Sequence, residues 1–306
     1  MELCNPAVVR ELLEKYSLSP KKCFGQNFLI NPGVPRRIAE ESASFAPADK
    51  PAGVLEIGPG VGALTQYLCR NYDKVVAVEI DRGLIPLLSE SLAEYDNVTV
   101  VEADFMEIDL PAFINEHFSD ILADGGTISV CANLPYYITT PVIMKLIESY
   151  PMSEKIPFSS IVVMIQLEVA RRLASGPNGV DYGSVSASIA LRANVSKLFD
   201  VSAGNFHPVP KVASAVIGIV PHGGIREVYP ESPEDEAECN KFGENVVELI
   251  SLAFGQRRKT LVNSVSGKYP KDKVSEALEA CSLRADIRGE KLSAEDFCRL
   301  ADMLNK

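Results

Sequence analysis

No stretch of this 306-residue chain approaches the ~20 consecutive apolar residues that a membrane-spanning helix needs, which argues against a helical membrane protein. The first residues, Met1-Glu2-Leu3-Cys4-Asn5, lack the basic and then apolar regions of a secretory signal. Cys-x-x-Cys pairs are also missing: the seven cysteines are scattered and odd in number. That argues for reduced thiols in a cytoplasmic protein and against a disulfide framework or a zinc site. Only three histidines occur, His117, His207 and His222, too far apart in sequence to form a helical ligand pair, so no metal is expected. Positive charge is in deficit as well. Lys and Arg number 30 against 41 Asp and Glu, a net charge of −11, which on its face argues against a nucleic-acid partner because phosphate neutralisation drives such binding. Net charge averages over faces, however, and local basic clusters occur at Lys21-Lys22, Arg36-Arg37, Arg171-Arg172 and Arg257-Arg258-Lys259. Neither an internal repeat nor a low-complexity tract is present.

What is present is an ordinary globular composition, 46% hydrophobic and 23% charged, with a clear alternation of element types. Amphipathic spacing predicts helices over 8–16 and 32–43. Strands and helices then alternate: strand 53–57, helix 63–70, strand 74–79, helix 84–94, strands 98–101 and 128–131, a helix over 139–148, and strand 160–165 with a helix through 173. Further strands are expected at 195–199 and 214–220, the latter rich in β-branched residues. Short apolar runs separated by helical segments imply an α/β fold with a parallel sheet covered on both faces. After Pro221 the pattern changes to helices over 242–254, 256–265, 272–281 and 294–304, with Ser293 as an N-cap and Asp296 three residues on. The expected organisation is therefore a catalytic domain over 1–224, an acidic linker over 225–240 containing Glu231-Ser232-Pro233-Glu234-Asp235-Glu236-Ala237-Glu238, and a small all-helical domain over 241–306.

Two motifs carry chemistry. Glu56-Ile57-Gly58-Pro59-Gly60-Val61-Gly62 lies where the first strand of the alternating region turns toward a helix, so that backbone N–H groups at Gly58 and Gly60 can approach a ligand closely. Its G-x-G-x-G spacing differs from the G-x-G-x-x-G of dinucleotide binders. Glu79 ends the next strand, where a carboxylate accepts hydrogen bonds from ribose hydroxyls. Asp104 follows the third and can accept from an adenine amine. These elements fit an adenosine-containing cofactor and leave NAD and S-adenosylmethionine both open. The second motif, Asn133-Leu134-Pro135-Tyr136, follows a buried strand. The Asn133 amide oxygen and the carbonyl of Leu134 or Pro135 can accept the two N–H groups of an exocyclic amine and localise its lone pair. Tyr136 can stack on the base, an interaction worth ~1–3 kcal/mol. A strand-to-helix turn using Asn and Pro for their geometry is the alternative. In Phe206-His207-Pro208-Val209-Pro210-Lys211-Val212, two prolines restrict a loop on which an exposed Phe206 can close over the other face of a flipped base; a proline-rich turn with the Phe packed into the core is the alternative.

Taken together, these residues resemble the ribosomal RNA adenine N6-dimethyltransferases of the bacterial small-subunit (16S) type. The matching segments are Phe24-Gly25-Gln26-Asn27-Phe28-Leu29, 56–62, Asn133-Leu134-Pro135-Tyr136, Gly176-Pro177 with Tyr182-Gly183, 206–212 and Arg257-Arg258-Lys259-Thr260-Leu261. The resemblance implies a class I S-adenosylmethionine-dependent methyltransferase fold, Rossmann-like with a mostly parallel seven-stranded sheet, and an all-α C-terminal domain. It implies S-adenosylmethionine as methyl donor and dimethylation of two adjacent adenosines near the 3′ end of 16S rRNA in the immature small subunit, as part of ribosome biogenesis, by a cytoplasmic monomer. Carried over by motif, Asn27, Leu29 and Gly60 should touch the cofactor, Gly58 its methionine end, Glu79 its ribose and Asp104 its adenine. Asn133 should lie between cofactor and target base, Tyr136 and Phe206 should sandwich that base, Lys211 should meet RNA, and the basic helix at Arg257, Arg258 and Lys259 should meet RNA backbone or help support the domain interface. Where the family often carries a basic residue, this chain has Leu167. Competing readings are a 23S rRNA adenine N6-methyltransferase of the antibiotic-resistance class, an NAD-dependent oxidoreductase, and a non-catalytic RNA-binding factor.

Overall fold

Continuous apolar runs become the inner strands of one sheet, because a strand covered on both faces has no polar side to present. The computed structural model describes residues 2–19, 27–256 and 258–305; Lys21-Lys22, the Phe24-Gly25-Gln26 part of the first matching segment, and Arg257 lie outside the described residues. In chain order the elements are α1 (Pro6–Lys15), β1 (Phe28–Leu29), α2 (Gly33–Ala43), β2 (Ala52–Ile57), α3 (Thr65–Leu68), β3 (Lys74–Glu79), α4 (Leu84–Ser91), β4 (Val98–Glu102), α5 (Leu110–Ala123), β5 (Thr127–Asn133), α6 (Thr139–Glu148), β6 (Phe158–Gln166), α7 (Leu167–Leu173), α8 (Ser184–Ala190), β7 (Ala193–Val201), β8 (Phe206–His207), β9 (Ser214–Pro221), α9 (Ile225–Val228), α10 (Glu236–Phe254), α11 (Leu261–Ser264), α12 (Lys271–Ala280) and α13 (Ala294–Asn305).

Seven strands form one sheet in the order β4-β3-β2-β5-β6-β9-β7, with β4, β3, β2, β5 and β6 mutually parallel and β9 antiparallel to β6. From β2 the chain steps outward through β3 to β4, then returns to the other side of β2 as β5. Connections therefore diverge at the carboxyl ends of β2 and β5, and such a reversal of strand order opens a crevice there. The register pairs Ile57 with Ala132 and Glu79 with Glu102, which brings the carboxyl ends of these strands to one edge.

The expected alternation holds, with differences, among them the unexpected α8 before β7. The stretch after β4 contains α5, a helix not anticipated from the sequence. Its signals are local: the Asp109 side chain accepts the Ala112 N–H at 3.1 Å, Pro111 sits in the first turn, and Leu110, Phe113, Ile114, Phe118 and Ile121 form the buried stripe. Phe118 packs so tightly on β2 that a Cβ on Gly53 would lie 2.7 Å from its ring. The expected 63–70 helix shortens to the four residues of α3. A second, two-stranded ribbon pairs β1 with β8 and sets Leu29 opposite Phe206; two-residue strands carry no periodicity from which to anticipate it.

Two compact units result, 1–149 with 157–170 and 196–220, and 150–156 with 171–195 and 221–306. Segments 150–156, 171–195 and 221–224, expected in the first domain, thus belong to the second unit. Their side chains explain why. Tyr182 is buried in the helical core and its hydroxyl donates to the Leu292 carbonyl at 3.0 Å. The buried Arg192 guanidinium donates to the carbonyls of Tyr150 (2.6 Å) and Glu154 (3.0 Å). The 225–240 stretch is also not a simple linker: it holds α9 and the start of α10. Asp235 caps α10 by accepting the Glu238 N–H at 3.0 Å, and Glu236 and Glu238 lie in the first turn, where negative charge complements the helix dipole. Ser293 and Asp296 cap α13 reciprocally, at 3.1 Å from the Asp296 N–H to Ser293 Oγ and 2.9 Å from the Ser293 N–H to Asp296 Oδ2. Among the described residues no helix is long and apolar enough to cross a membrane, and all six described cysteines are buried and free.

Candidate active site

The loop leaving β2 turns through three left-handed glycines, Gly58 (φ +71°), Gly60 (φ +62°) and Gly62 (φ +88°). Their N–H groups each have an acceptor within the protein, where approach to a ligand was expected; Gly62 donates to the Pro59 carbonyl at 2.9 Å. Gly58 donates to the Val78 carbonyl of β3 at 2.9 Å, and Gly60 donates to Glu79 Oε2 at 3.1 Å. The other carboxylate oxygen of Glu79 accepts the Asp81 N–H at 2.8 Å. Glu79 is only 4% exposed, and burial raises its pKa above the usual carboxylate range. Below the loop lies Glu56, 1% exposed, whose Oε2 has no hydrogen-bond partner among the described residues. Burial, with the Glu79 charge adding to it, pushes the Glu56 carboxyl up to about 8. Asp104, beyond β4, folds its own turn by accepting the Met106 N–H at 2.8 Å.

On the other side of the crevice, Asn133 ends β5 opposite Met164, and the Leu134 N–H continues the ladder to the Met164 carbonyl at 3.2 Å. The Asn133 Nδ2 group points to the Asn27 carbonyl at 3.5 Å, which leaves the acceptor side of the amide, Oδ1, for another donor. The Pro135 carbonyl is engaged by the start of α6: the Ile138 N–H reaches it at 3.1 Å and the Thr139 hydroxyl at 3.3 Å. Tyr136 is held by a 3.1 Å hydrogen bond between its hydroxyl and Ser214 Oγ.

These parts meet in one cavity of ≈ 250 Å³, near the lower end of small-ligand sites, which run about 300–1,000 Å³. Asn27, Leu29, Gly58, Gly60, Glu79, Asp104, Asn133, Leu134, Pro135, Tyr136 and Phe206 all line it. Of the two readings of Phe206, the structure shows the packed one: it is 2% exposed and in the core, because β8 pairs with β1, and it is not an exposed ring on a free loop. Lys211 is exposed and does not line the cavity. Arg258 and Lys259 are exposed in the second unit, in a turn where the expected 256–265 helix is reduced to α11; the Leu261 N–H is committed to the Ile287 carbonyl at 2.8 Å. Sequence reasoning gave no role to Glu56, Phe28, Ile80, Phe105, Met106 or Tyr137, which also line the cavity. Glu56 stands inside the quoted glycine motif and Tyr137 directly follows Tyr136, so adjacency was the available signal. Among the described residues no group of three or more His, Cys, Asp or Glu side chains is placed to hold a metal ion.

A mostly parallel sheet with reversed strand order, a left-handed glycine loop at its switch point and an acid at the end of the next strand together define a class I methyltransferase fold. Solved structures agree on that fold: a dimethyladenosine transferase from Plasmodium falciparum (24% identity, 89% of this chain and 95% of that one, TM-score 0.67) and the 23S rRNA methyltransferase ErmE (24% identity, 92% and 100%, TM-score 0.66). Residues 18–306 match the family described as Ribosomal RNA adenine dimethylase, and the chain belongs to that family. It is similar along its whole length to proteins named Ribosomal RNA small subunit methyltransferase A: 40% identical to that of Bacillus pumilus, over 100% of this chain and 98% of the relative, and 41% identical to that of Lachnoclostridium phytofermentans, over 99% and 98%.

Proposed function

We propose that this chain dimethylates N6 of two adjacent adenosines near the 3′ end of 16S rRNA, using S-adenosylmethionine, within the immature small ribosomal subunit. The observation that carries the chemistry is the position of Asn133 in one cavity with the left-handed glycine loop and Glu79. Full-length similarity to small-subunit relatives supports the choice of 16S over 23S rRNA. The likeness to ErmE bears on the fold alone.

The cavity fits an adenosine-containing donor on its own features. A Cβ on Gly58 would enter open space, so the bare backbone there leaves a cradle for a ligand. Glu79 retains acceptor lone pairs for ribose hydroxyls beyond its two backbone bonds, and Asp104 keeps Oδ2 for an adenine amine. Gly58 and Gly60 take the methionine end, and Asn27 and Leu29 close the side wall. Bound there, S-adenosylmethionine supplies a sulfonium methyl for transfer to the amine. The protein's own contribution is orientation and electrostatics. Asn133 Oδ1 accepts one N–H of the target amine. The Leu134 carbonyl accepts the other, since the Pro135 carbonyl is occupied by α6. Two acceptors turn the lone pair out of conjugation with the ring and toward the methyl. Tyr136, fixed through Ser214, stacks on one face of the base, and Phe206 meets it from the ribbon side. Lys211, Arg258 and Lys259 contact RNA phosphates. The enzyme works as a cytoplasmic monomer.

Incubation with labelled S-adenosylmethionine and either immature subunit, followed by RNA mass spectrometry, tests the assignment. Dimethyladenosine at two adjacent positions of 16S rRNA is expected; label confined to 23S rRNA would overturn it.

A further inference from the structure

We infer that Lys145 is a positioning residue that holds the adenine end of the cavity in register with the turn carrying Asn133; the inference rests on the cofactor reading above. The segment between β4 and α5 supplies Asp104, Phe105 and Met106 to the cavity wall. It belongs to no strand, and its internal bonds are the Asp104 turn to Met106 and the Glu107 N–H to the Asp104 carbonyl at 2.9 Å. The carbonyls of Met106 and Ile108 are met from outside. Lys145 Nζ donates to them at 2.8 and 2.6 Å, and its ammonium lies 5.6 Å from the centroid of the Phe105 ring. The contacts that tie Lys145 to this segment are two backbone dipoles and a ring face.

Lys145 stands on α6, and the opposite end of that helix grips the Pro135 carbonyl through Ile138 and Thr139. One ten-residue helix, about 15 Å long at 1.5 Å per residue, is thus bonded at its start to the acceptor turn and in its later half to the adenine wall. Hydrogen bonds from a charged donor are roughly twice as strong as neutral ones, which suits the ammonium to pinning an otherwise loosely tied loop. Removing it frees the wall that carries Asp104 while leaving Asp104, Glu79 and Asn133 chemically intact.

Calorimetry with S-adenosylhomocysteine and with 5′-methylthioadenosine, which lacks the amino-acid half, reads the effect. Lys145→Met keeps the apolar stem over Phe105, and Lys145→Gln serves if the Met variant unfolds. The dissociation constant is expected to rise about tenfold for both probes, the loss of one charge-assisted bond's worth of order. In methyl transfer the KM for S-adenosylmethionine should rise with kcat unchanged, a split that general destabilisation does not produce. Combined with Asp104→Asn, the loss should be less than additive, because both act on one wall. Wild-type affinity in the Lys145 variant, a lower kcat at unchanged KM, or strictly additive losses would overturn the inference. Failure of the wild-type chain to bind S-adenosylhomocysteine would instead overturn the cofactor assignment, and the role of Lys145 with it.

Discussion

Replacing Gly58 and Gly62 separately by alanine distinguishes a ligand cradle from a packing requirement within one loop. Both residues adopt left-handed backbone, φ +71° and φ +88°, which costs a non-glycine residue roughly 1–2 kcal/mol. Their surroundings differ. A Cβ on Gly58 meets nothing within 4 Å, whereas one on Gly62 would sit 3.2 Å from methyls of Leu3 and Leu92 and 3.5 Å from Leu88. Overpacking a filled core adds about 1–3 kcal/mol. Gly58→Ala is therefore expected to lower unfolding free energy by about 1–2 kcal/mol, and Gly62→Ala by about 2–5 kcal/mol, the sum of both effects. Ligand binding should show the reverse order. Gly58 lines the cavity and Gly62 does not. A methyl group in the cradle occupies space the ligand needs, and an affinity loss of about tenfold, ~1.4 kcal/mol, is expected. Urea denaturation gives the first quantity and calorimetry with S-adenosylhomocysteine the second. Wild-type affinity in Gly58→Ala, or a larger affinity loss in a folded Gly62→Ala, would refute the division of labour.

Three further outcomes follow from the same geometry. Asn133→Ala should lower kcat by on the order of 10²–10³ while leaving circular dichroism unchanged, since the side chain's hydrogen bond to Asn27 is long, at 3.5 Å; product yield by RNA mass spectrometry checks it. The Glu56 carboxyl, held up near 8 by burial against an ordinary 4.5, binds its proton more tightly folded than unfolded, so its stabilisation is complete below pH 4.5 and is lost as pH rises toward 8. Glu56→Gln should flatten that part of the stability–pH curve measured by denaturation, with Glu79, shifted the same way, keeping a residual slope. Phe206→Ala should cost about 3–5 kcal/mol and Phe206→Leu under about 1.5, while the folded Leu variant, lacking the ring, still transfers methyl groups more slowly.

Legibility in the sequence tracked the range of the interactions responsible. Strand β3 is read residue for residue over Lys74–Glu79, because a buried parallel strand needs a continuous apolar run and little else. The left-handed turns at Gly58 and Gly60 and the strand-to-helix break at Asn133-Leu134-Pro135-Tyr136 were equally legible, since Gly and Pro record local backbone geometry. Helix α5 was written locally, in Asp109, Pro111 and the stripe from Leu110 to Ile121, and went unread. Phe206 is the contrary case: the sequence left exposed and packed readings open, because nothing near it in sequence encodes pairing with Leu29, which lies far earlier in the chain.

By itself, then, the sequence determined the alternating α/β layout, the glycine loop and the Asn133 turn, and with them the class of chemistry. All three depend on interactions within a few residues. Only the tertiary structure decided that β5 returns beside β2 to open the crevice, that β1 and β8 pair to bury Phe206 on its wall, that segments 150–156 and 171–195 join the helical unit, and that Lys145 reaches the carbonyls of Met106 and Ile108. Each of those is a contact between residues distant in the chain. Its partners are selected by the packing of the whole core, and no local propensity records them.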